Sequence, residues 1–225
     1  MPSARQNLPD LNFQVEGAAA ERFAAAPLLQ FGLRIVDAAV GDSVAIQAIA
    51  LRCQIRIEPS KRRYSPQEQQ RLLDLFGTPE RWGQTLRPML WTHASVIVPA
   101  FAGAAMIDLP VPCSYDFNLA ATKYFDALGE GKIPLCFLFS GTIFYAAESG
   151  ALQAMQIPWE KEAYYALPAE VWKDLMHLHY PNMSWLALHR DTIERLRDYR
   201  SQAGLATWEQ AVEKLLEGAM EATAP

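Results

Sequence analysis

Cysteine is scarce in this sequence, and the cysteines that do occur are far apart. Cys53, Cys113 and Cys136 are odd in number and widely spaced. Disulfide frameworks and cysteine-based metal sites need paired or closely spaced cysteines. The sequence therefore predicts no disulfide scaffold, and it favours a reducing compartment.

Positive charge is also in short supply. Charged residues make up 20% of the chain, and the formal net charge is −5. Nucleic-acid binding depends on a basic surface, so we expect no nucleic-acid partner. A hydrophobic content of 51% excludes a disordered chain, which lacks the apolar surface to offset its conformational entropy. The first residues lack the apolar run of a signal peptide, which predicts a soluble, cytoplasmic protein.

One segment lacks charge altogether. Residues 88–107 contain no Asp, Glu, Lys or Arg, and a stretch of this length could span a bilayer. The segment also contains Pro88, His93, Pro99 and Gly103, and many of its apolar residues are small. We therefore predict two strands that form a buried hairpin broken near residues 99–103, and no membrane span.

Strand patterns dominate the first two thirds of the chain. The clearest lies in residues 49–58, where apolar residues alternate with polar or small ones, as in an antiparallel sheet with one wet face. Val44 and Ile46 have the opposite parity, which predicts a β-bulge near Gln47. Residues 17–26 are alanine-rich and predict a helical turn. The predicted strands are residues 11–15, 28–36, 49–58, 90–98, 106–113, 133–145 and 152–158.

Helix signals are concentrated in the last third. Earlier in the chain, Ser65 and Glu68 form a capping-box pattern before a short helix, and residues 119–128 predict another. Residues 168–179 and a segment capped by Asp191 are predicted helices. Thr207 and Gln210 form a second capping box, which precedes apolar residues at helical spacing. We expect these apolar residues to be buried against their own domain, and a protein partner is the alternative.

Strands followed by helices predict an α+β fold. We expect a largely antiparallel β-sheet of about six to seven strands followed by C-terminal helices. The absence of repeats and linkers predicts a single domain over residues 1–225, strand-rich over 11–158 and helical over 167–221.

Cys113 and His93 are the weak catalytic candidates. A cysteine and a histidine that met across a hairpin would form a nucleophile and its base. Nothing local to either residue supports this pair, and a buried inert thiol and a hydrogen-bonded structural histidine are the ordinary alternatives. The two prolines in residues 109–113 predict an edge strand or an extended surface strand there.

The remaining polar clusters predict little chemistry. His177 and His179 point about 200° apart on a helix, so they could share a metal ion only on an extended backbone. His189 is a conceivable third ligand, but no cysteine or carboxylate completes a recognisable spacing. The basic residues 61–63, with Arg52 and Arg56, could bind an anion, although basic runs at strand ends are usually solvated. Ser140 and Gly141 lack the first glycine of a nucleophile elbow. We therefore expect no metal and no cofactor.

Several segments together resemble an uncharacterised bacterial domain-of-unknown-function family associated with operons that encode nickel–iron hydrogenases and their accessory proteins. A fainter likeness, in topology more than in residues, is to the SecB-type export chaperone. The segments that carry the first resemblance are RIEPSKRRY, LFGTPERWGQTLRPMLWTH, LPVPC, PLCFLFSGTIFY and IPWEKEAYYALPAEVWKDLM, at residues 56–64, 75–93, 109–113, 134–145 and 157–176.

The first resemblance implies only that genes of this family lie near hydrogenase genes, and it identifies no catalytic residue in this chain. Together with six tryptophans and the lack of a catalytic motif, it predicts a non-catalytic accessory or assembly protein that acts through protein–protein contacts. Hydrogenase subunits or maturation factors are the expected partners, and homo-oligomerisation is left open. The alternatives are an enzyme that uses Cys113 and His93, and a SecB-like chaperone that binds unfolded polypeptide.

Overall fold

A computed structural model describes residues 8–39, 44–113, 119–147, 149–184, 186 and 188–223. The chain divides into two compact units, Met1–Met183 and Ser184–Pro225, called unit 1 and unit 2 below. That residues 1–225 form a single domain stays a prediction.

Eight strands and seven α-helices occur in the described residues, which confirms the predicted α+β fold. The strands are β1 (Leu11–Ala20), β2 (Leu28–Asp37), β3 (Ile46–Ile57), β4 (Met89–Val98), β5 (Ala104–Pro112), β6 (Lys132–Ala146), β7 (Leu152–Gln156) and β8 (Glu162–Pro168). The helices are α1 (Pro66–Arg71), α2 (Leu73–Phe76), α3 (Trp82–Thr85), α4 (Leu119–Ala127), α5 (Ala169–His179), α6 (Arg190–Gln202) and α7 (Trp208–Thr223). No helix in these ranges is long and apolar enough to cross a membrane.

Unit 1 contains two antiparallel sheets packed face to face. Sheet A has the order β1-β2-β5, and sheet B has the order β4-β3-β6-β7, with β8 also paired to β6. Aromatic rings join the two inner faces: Phe13 stacks on Phe139 at 4.2 Å, and Phe31 meets Phe137 edge-on at 5.2 Å. These aromatic contacts place the main hydrophobic core between the sheets.

Glycine at one position allows β6 to pair closely with β3. Gly141 has a φ of +132°, and a Cβ built on it would lie 2.0 Å from the backbone oxygen of Ala50. Any side chain would therefore collide with β3. Gly141 therefore has a structural role in the pairing of these two strands. On the other edge of β6, β8 pairs before Gly141 and β7 pairs after it.

Local signals predicted several features correctly. The Ser65–Glu68 capping box is present at the start of α1, and a register shift between Ile46 and Ala48 confirms the bulge near Gln47. β5 is an edge strand of sheet A, as its prolines predicted. The second capping box is also present, because Thr207 Oγ1 accepts from the Gln210 amide at 3.2 Å and Gln210 Oε1 accepts from the Thr207 amide.

Four sequence-based predictions of local structure are wrong. Residues 17–20 belong to β1 and not to a helical turn, because they pair with β2 after a bulge, and pairing overrides helix propensity. The strands β4 and β5 form no hairpin, since they lie in different sheets. Strand β8 was not predicted. Helix α6 begins after His189, with no side-chain cap, so Asp191 lies in its first turn.

Candidate functional site

Cys113 lies directly after β5 and is 2% exposed. Its Sγ donates to the carbonyl oxygen of Val111 at 3.1 Å. Burial raises the pKa of the thiol to about 12, despite a backbone hydrogen bond at Leu29 that lowers it. A thiol with this pKa and so little exposed surface is a poor nucleophile at neutral pH.

His93 lies on the outer face of sheet B and is exposed. It pairs with Gln54, and further along the strand the β3–β4 register passes from Thr92 to Leu90, with a bulge at Trp91. This bulge places Trp91 in the core and His93 on the opposite face, although the plain alternation predicted the same face for both. Since Cys113 is buried and His93 points to solvent, the structure does not bring the two candidates into contact.

The other histidines are dispersed. His177 is exposed near the end of α5, and His179 is the last residue of that helix, while His189 belongs to unit 2. Within the described ranges, no group of three or more His, Cys, Asp or Glu residues could hold a metal ion. The absence of a metal and of a cofactor stays a prediction.

Two of the basic residues predicted to bind an anion, Lys61 and Arg62, are engaged inside unit 1. Arg62 Nη2 lies 2.6 Å from Glu68 Oε1 and also donates to the Glu130 carbonyl, and its Nη1 donates to the Lys132 carbonyl at 2.8 Å. Lys61 Nζ lies 3.9 Å from the ring centroid of Tyr164. Arg62 is therefore unavailable to an external anion.

Glu68 is the centre of a buried clamp that fastens α1 to the loop before β6. Its Oε1 also accepts from the Gly129 amide and its Oε2 from the Ser65 amide, both at 2.9 Å. Burial by itself would raise the pKa of this carboxyl, but the hydrogen bonds from Ser65, Gly129 and Arg62 hold it below its ordinary value. The sequence predicted the Ser65–Glu68 capping box of this clamp. It missed the part made by Arg62, because Arg62 is far in sequence from Glu130 and Lys132, whose carbonyl oxygens it contacts.

Tyr64 and Tyr124 extend the clamp. Their hydroxyl oxygens lie 2.8 Å apart, and the Tyr64 hydroxyl is also 2.7 Å from the carbonyl oxygen of Pro59. Burial raises the pKa of Tyr64 to about 12, against the lowering effect of its hydrogen bond to Tyr124. Both phenols are therefore neutral hydrogen-bonding groups at physiological pH. The whole cluster holds elements together and presents no reactive group to solvent.

Unit 2 differs because its apolar residues are exposed. We call Trp208, Val212, Leu215 and Leu216 the α7 stripe; their exposed fractions are 37%, 43%, 45% and 59%. Among the described residues of unit 2, only Ala211 is buried. The expectation that the apolar face of this helix is buried is therefore wrong, because α6 covers only the Ala211 edge of it.

A groove of about 460 Å³ opens in unit 2. The apolar part of its lining comes from both helices and the segment before α6, and Arg195 and Thr192 supply the polar part. Its lining residues are Leu188, Thr192, Arg195, Leu196, Tyr199 and Leu215. Helices α6 and α7 form a helical hairpin, and near its turn the Arg200 guanidinium lies 4.2 Å from the Trp208 ring. An exposed apolar groove with a basic residue in its lining is typical of a surface that receives a protein segment.

Comparisons with known proteins add a family and little else. A family profile described as a family of unknown function (DUF6084) matches residues 8–224. No curated protein matches. One solved structure that matches is a selenomethionine-labelled beta-glucosidase from Kluyveromyces marxianus. It is 9% identical with a TM-score of 0.25, and the match covers 70% of this chain and 15% of the glucosidase chain. That likeness is too weak to carry an argument.

Proposed function

The chain belongs to this family of unknown function, and we propose that it is a non-catalytic accessory or assembly protein that acts through protein–protein contacts made by unit 2. The observation that carries the proposal is the exposed α7 stripe beside the groove. Monomeric proteins rarely expose a contiguous apolar patch of this kind without a use for it.

The chemistry of unit 1 is consistent with this proposal. Cys113 and the clamp around Glu68 are buried and hydrogen-bonded within the protein. These groups stabilise the sandwich, and the exposed apolar helix face, the α7 stripe, belongs to unit 2. The stripe includes a tryptophan, one of the residues that most often dominate binding energy at protein interfaces.

We propose subunits or maturation factors of a hydrogenase, or of a similar redox enzyme, as the partners. The support is the resemblance of residues 56–64, 75–93, 109–113, 134–145 and 157–176 to a family associated with hydrogenase operons. This support is an association in gene order, so a direct search for the partner is the necessary test.

The test is affinity purification of the full chain from its native host while the operon is expressed. Wild type should recover a redox-enzyme subunit or maturation factor, and Leu216→Glu should lose it, because a charge in the stripe must be desolvated on docking. Leu152→Glu is the matched control, since Leu152 is also exposed (66%) but lies in unit 1. Recovery of no such protein, or equal recovery with Leu216→Glu, would refute the proposal.

A second candidate, binding of unfolded polypeptide as in SecB-type chaperones, has one specific observation in its favour. The edge strand β4 contains no charged residue over its ten residues, and Leu90 and Ile97 are 44% and 69% exposed. Edge strands without charges are open to strand addition. If this candidate is right, the protein suppresses aggregation of a reduced, unfolded client, and Ile97→Lys reduces the effect. An Ile97→Lys variant as active as wild type would exclude β4 as the binding edge.

A further inference from the structure

Unit 2 is too small to form a stable hydrophobic core from its own residues. It comprises about 40 residues, a size at which chains usually need a disulfide, a metal or an oligomer to form a stable core. Its two main helices are long enough for a bundle, yet among its described residues they bury only Ala211. More helices packed on the same faces would supply the missing core.

The charges of unit 2 are arranged as two complementary surfaces. Arg195 lines the groove and is exposed, and no described residue pairs with it in an ion pair. Glu209 and Glu213 lie on α7 beside Leu216 of the stripe, about 20° and 60° from it around the helix at about 100° per residue, whereas Glu217 lies further round. These glutamates also have no ion-pair partner among the described residues. The groove lining is thus basic and the flank of the stripe is acidic.

Within one copy these two surfaces form no ion pair with each other, but a second copy can bring them together. Arg190 pairs with Glu194 at 3.0 Å and Arg200 stacks on Trp208, and among the residues that line the groove Arg195 alone is charged. Arg195 therefore remains to select the occupant of the groove. An amphipathic helix with an acidic flank is the segment that matches it, and α7 itself is such a helix.

We propose that, in the absence of another partner, the α7 stripe of one copy packs into the groove of a second copy, and reciprocally. Two hairpins arranged in this way form a four-helix bundle with two-fold symmetry, in which both stripes are covered and each Arg195 faces acidic residues of the other copy. The inference rests on the proposed function in placing the docking surface on unit 2. The protein partner then competes with the second copy for the same groove.

The test measures the mass of the purified full chain by size-exclusion chromatography with light scattering, over about 1–100 μM. Wild type is a dimer. Leu216→Glu and Arg195→Glu each weaken the dimer by about tenfold or more, and the Glu209→Lys/Glu213→Lys double variant does the same. Leu152→Glu, with its exposed leucine in unit 1, stays dimeric.

Mixing provides the sharper test. Arg195→Glu gives a copy with an acidic groove and an acidic flank, and Glu209→Lys/Glu213→Lys gives a copy with a basic groove and a basic flank. Neither pairs with itself, but an equimolar mixture should recover a mixed dimer, because both contacts then join opposite charges. A monomeric wild type at 100 μM, a dimer indifferent to these substitutions, or a mixture that stays monomeric would each overturn the inference.

These results are independent of the affinity purification. A monomeric wild type that still recovers a redox-enzyme partner through Leu216 would refute the dimer and leave the proposed function standing. A dimer that dissociates as expected, with no partner recovered from the host, would refute the proposed function and leave the dimer standing.

Discussion

In unit 1, apolar side chains from two sheets fill one another's spaces, whereas in unit 2 a helix of comparable apolar content presents its side chains to solvent. Phe31 is 0% exposed and contacts rings from β4, β6 and β8. Leu216 on α7 is 59% exposed. This contrast shows that apolar periodicity in a sequence predicts which face of an element is to be covered, and leaves open whether the covering residues belong to the same chain.

The largest expected loss of stability is that of Phe31→Ala, in the core of unit 1. Removing this ring should lower the free energy of unfolding by about 4 kcal/mol, because it leaves a cavity between the two sheets. Urea denaturation followed by tryptophan fluorescence measures the loss. Phe23→Ala is the matched control: Phe23 is 96% exposed, and the change should stay within about 0.5 kcal/mol. Similar losses for both variants would contradict the packing described for unit 1.

The next largest effect is expected from Glu68→Gln, at about 3 kcal/mol of unit 1 stability at pH 7, because Arg62 is left buried without a counter-charge. The pKa of Glu68 is lowered in the folded state, so its ionised form contributes stability that is present above the unfolded-state pKa of about 4.3. That contribution is lost as the pH falls from about 5 towards the folded-state pKa.

Urea denaturation of wild type and Glu68→Gln at several pH values between 7 and about 3 tests this prediction. The difference between the two proteins should shrink as the pH falls. A difference that stays constant down to the lowest pH would show that Glu68 acts through its shape and not through its charge.

The smallest effect is expected in unit 2. Leu215→Ala should change the unfolding free energy by less than about 1 kcal/mol at a concentration at which the chain is monomeric, since Leu215 is 45% exposed. A buried stripe would instead have predicted about 2–5 kcal/mol. Thermal unfolding of the variant and wild type distinguishes the two values. The same variant should weaken binding of whatever occupies the groove, which sharpens the contrast with Phe31.

Sequence reasoning succeeded where a feature depends on neighbouring residues. The Ser65–Glu68 and Thr207–Gln210 capping boxes are formed by side chains three residues apart, so their patterns were sufficient. It failed where distant strands decide the outcome. Because of the bulge at Trp91, His93 lies on the opposite face from the one that simple alternation gives. Strand β8 has a weak pattern of its own and is a strand because it pairs with β6. For the candidate docking surface, the sequence predicted that α7 is amphipathic but not that its apolar face is exposed.

By itself, the sequence determined the α+β class, most of the strands, the starts of α1 and α7 and the edge position of β5, since each of these follows from residue periodicity, capping or proline geometry. Only the tertiary structure decided that β4 and β5 join different sheets, that Cys113 is enclosed while His93 is solvated, and that Arg62 is taken up by Glu68. It alone decided that the α7 stripe is left exposed. The physical reason is that burial is a property of contacts between distant segments, which local patterns can require but cannot assign.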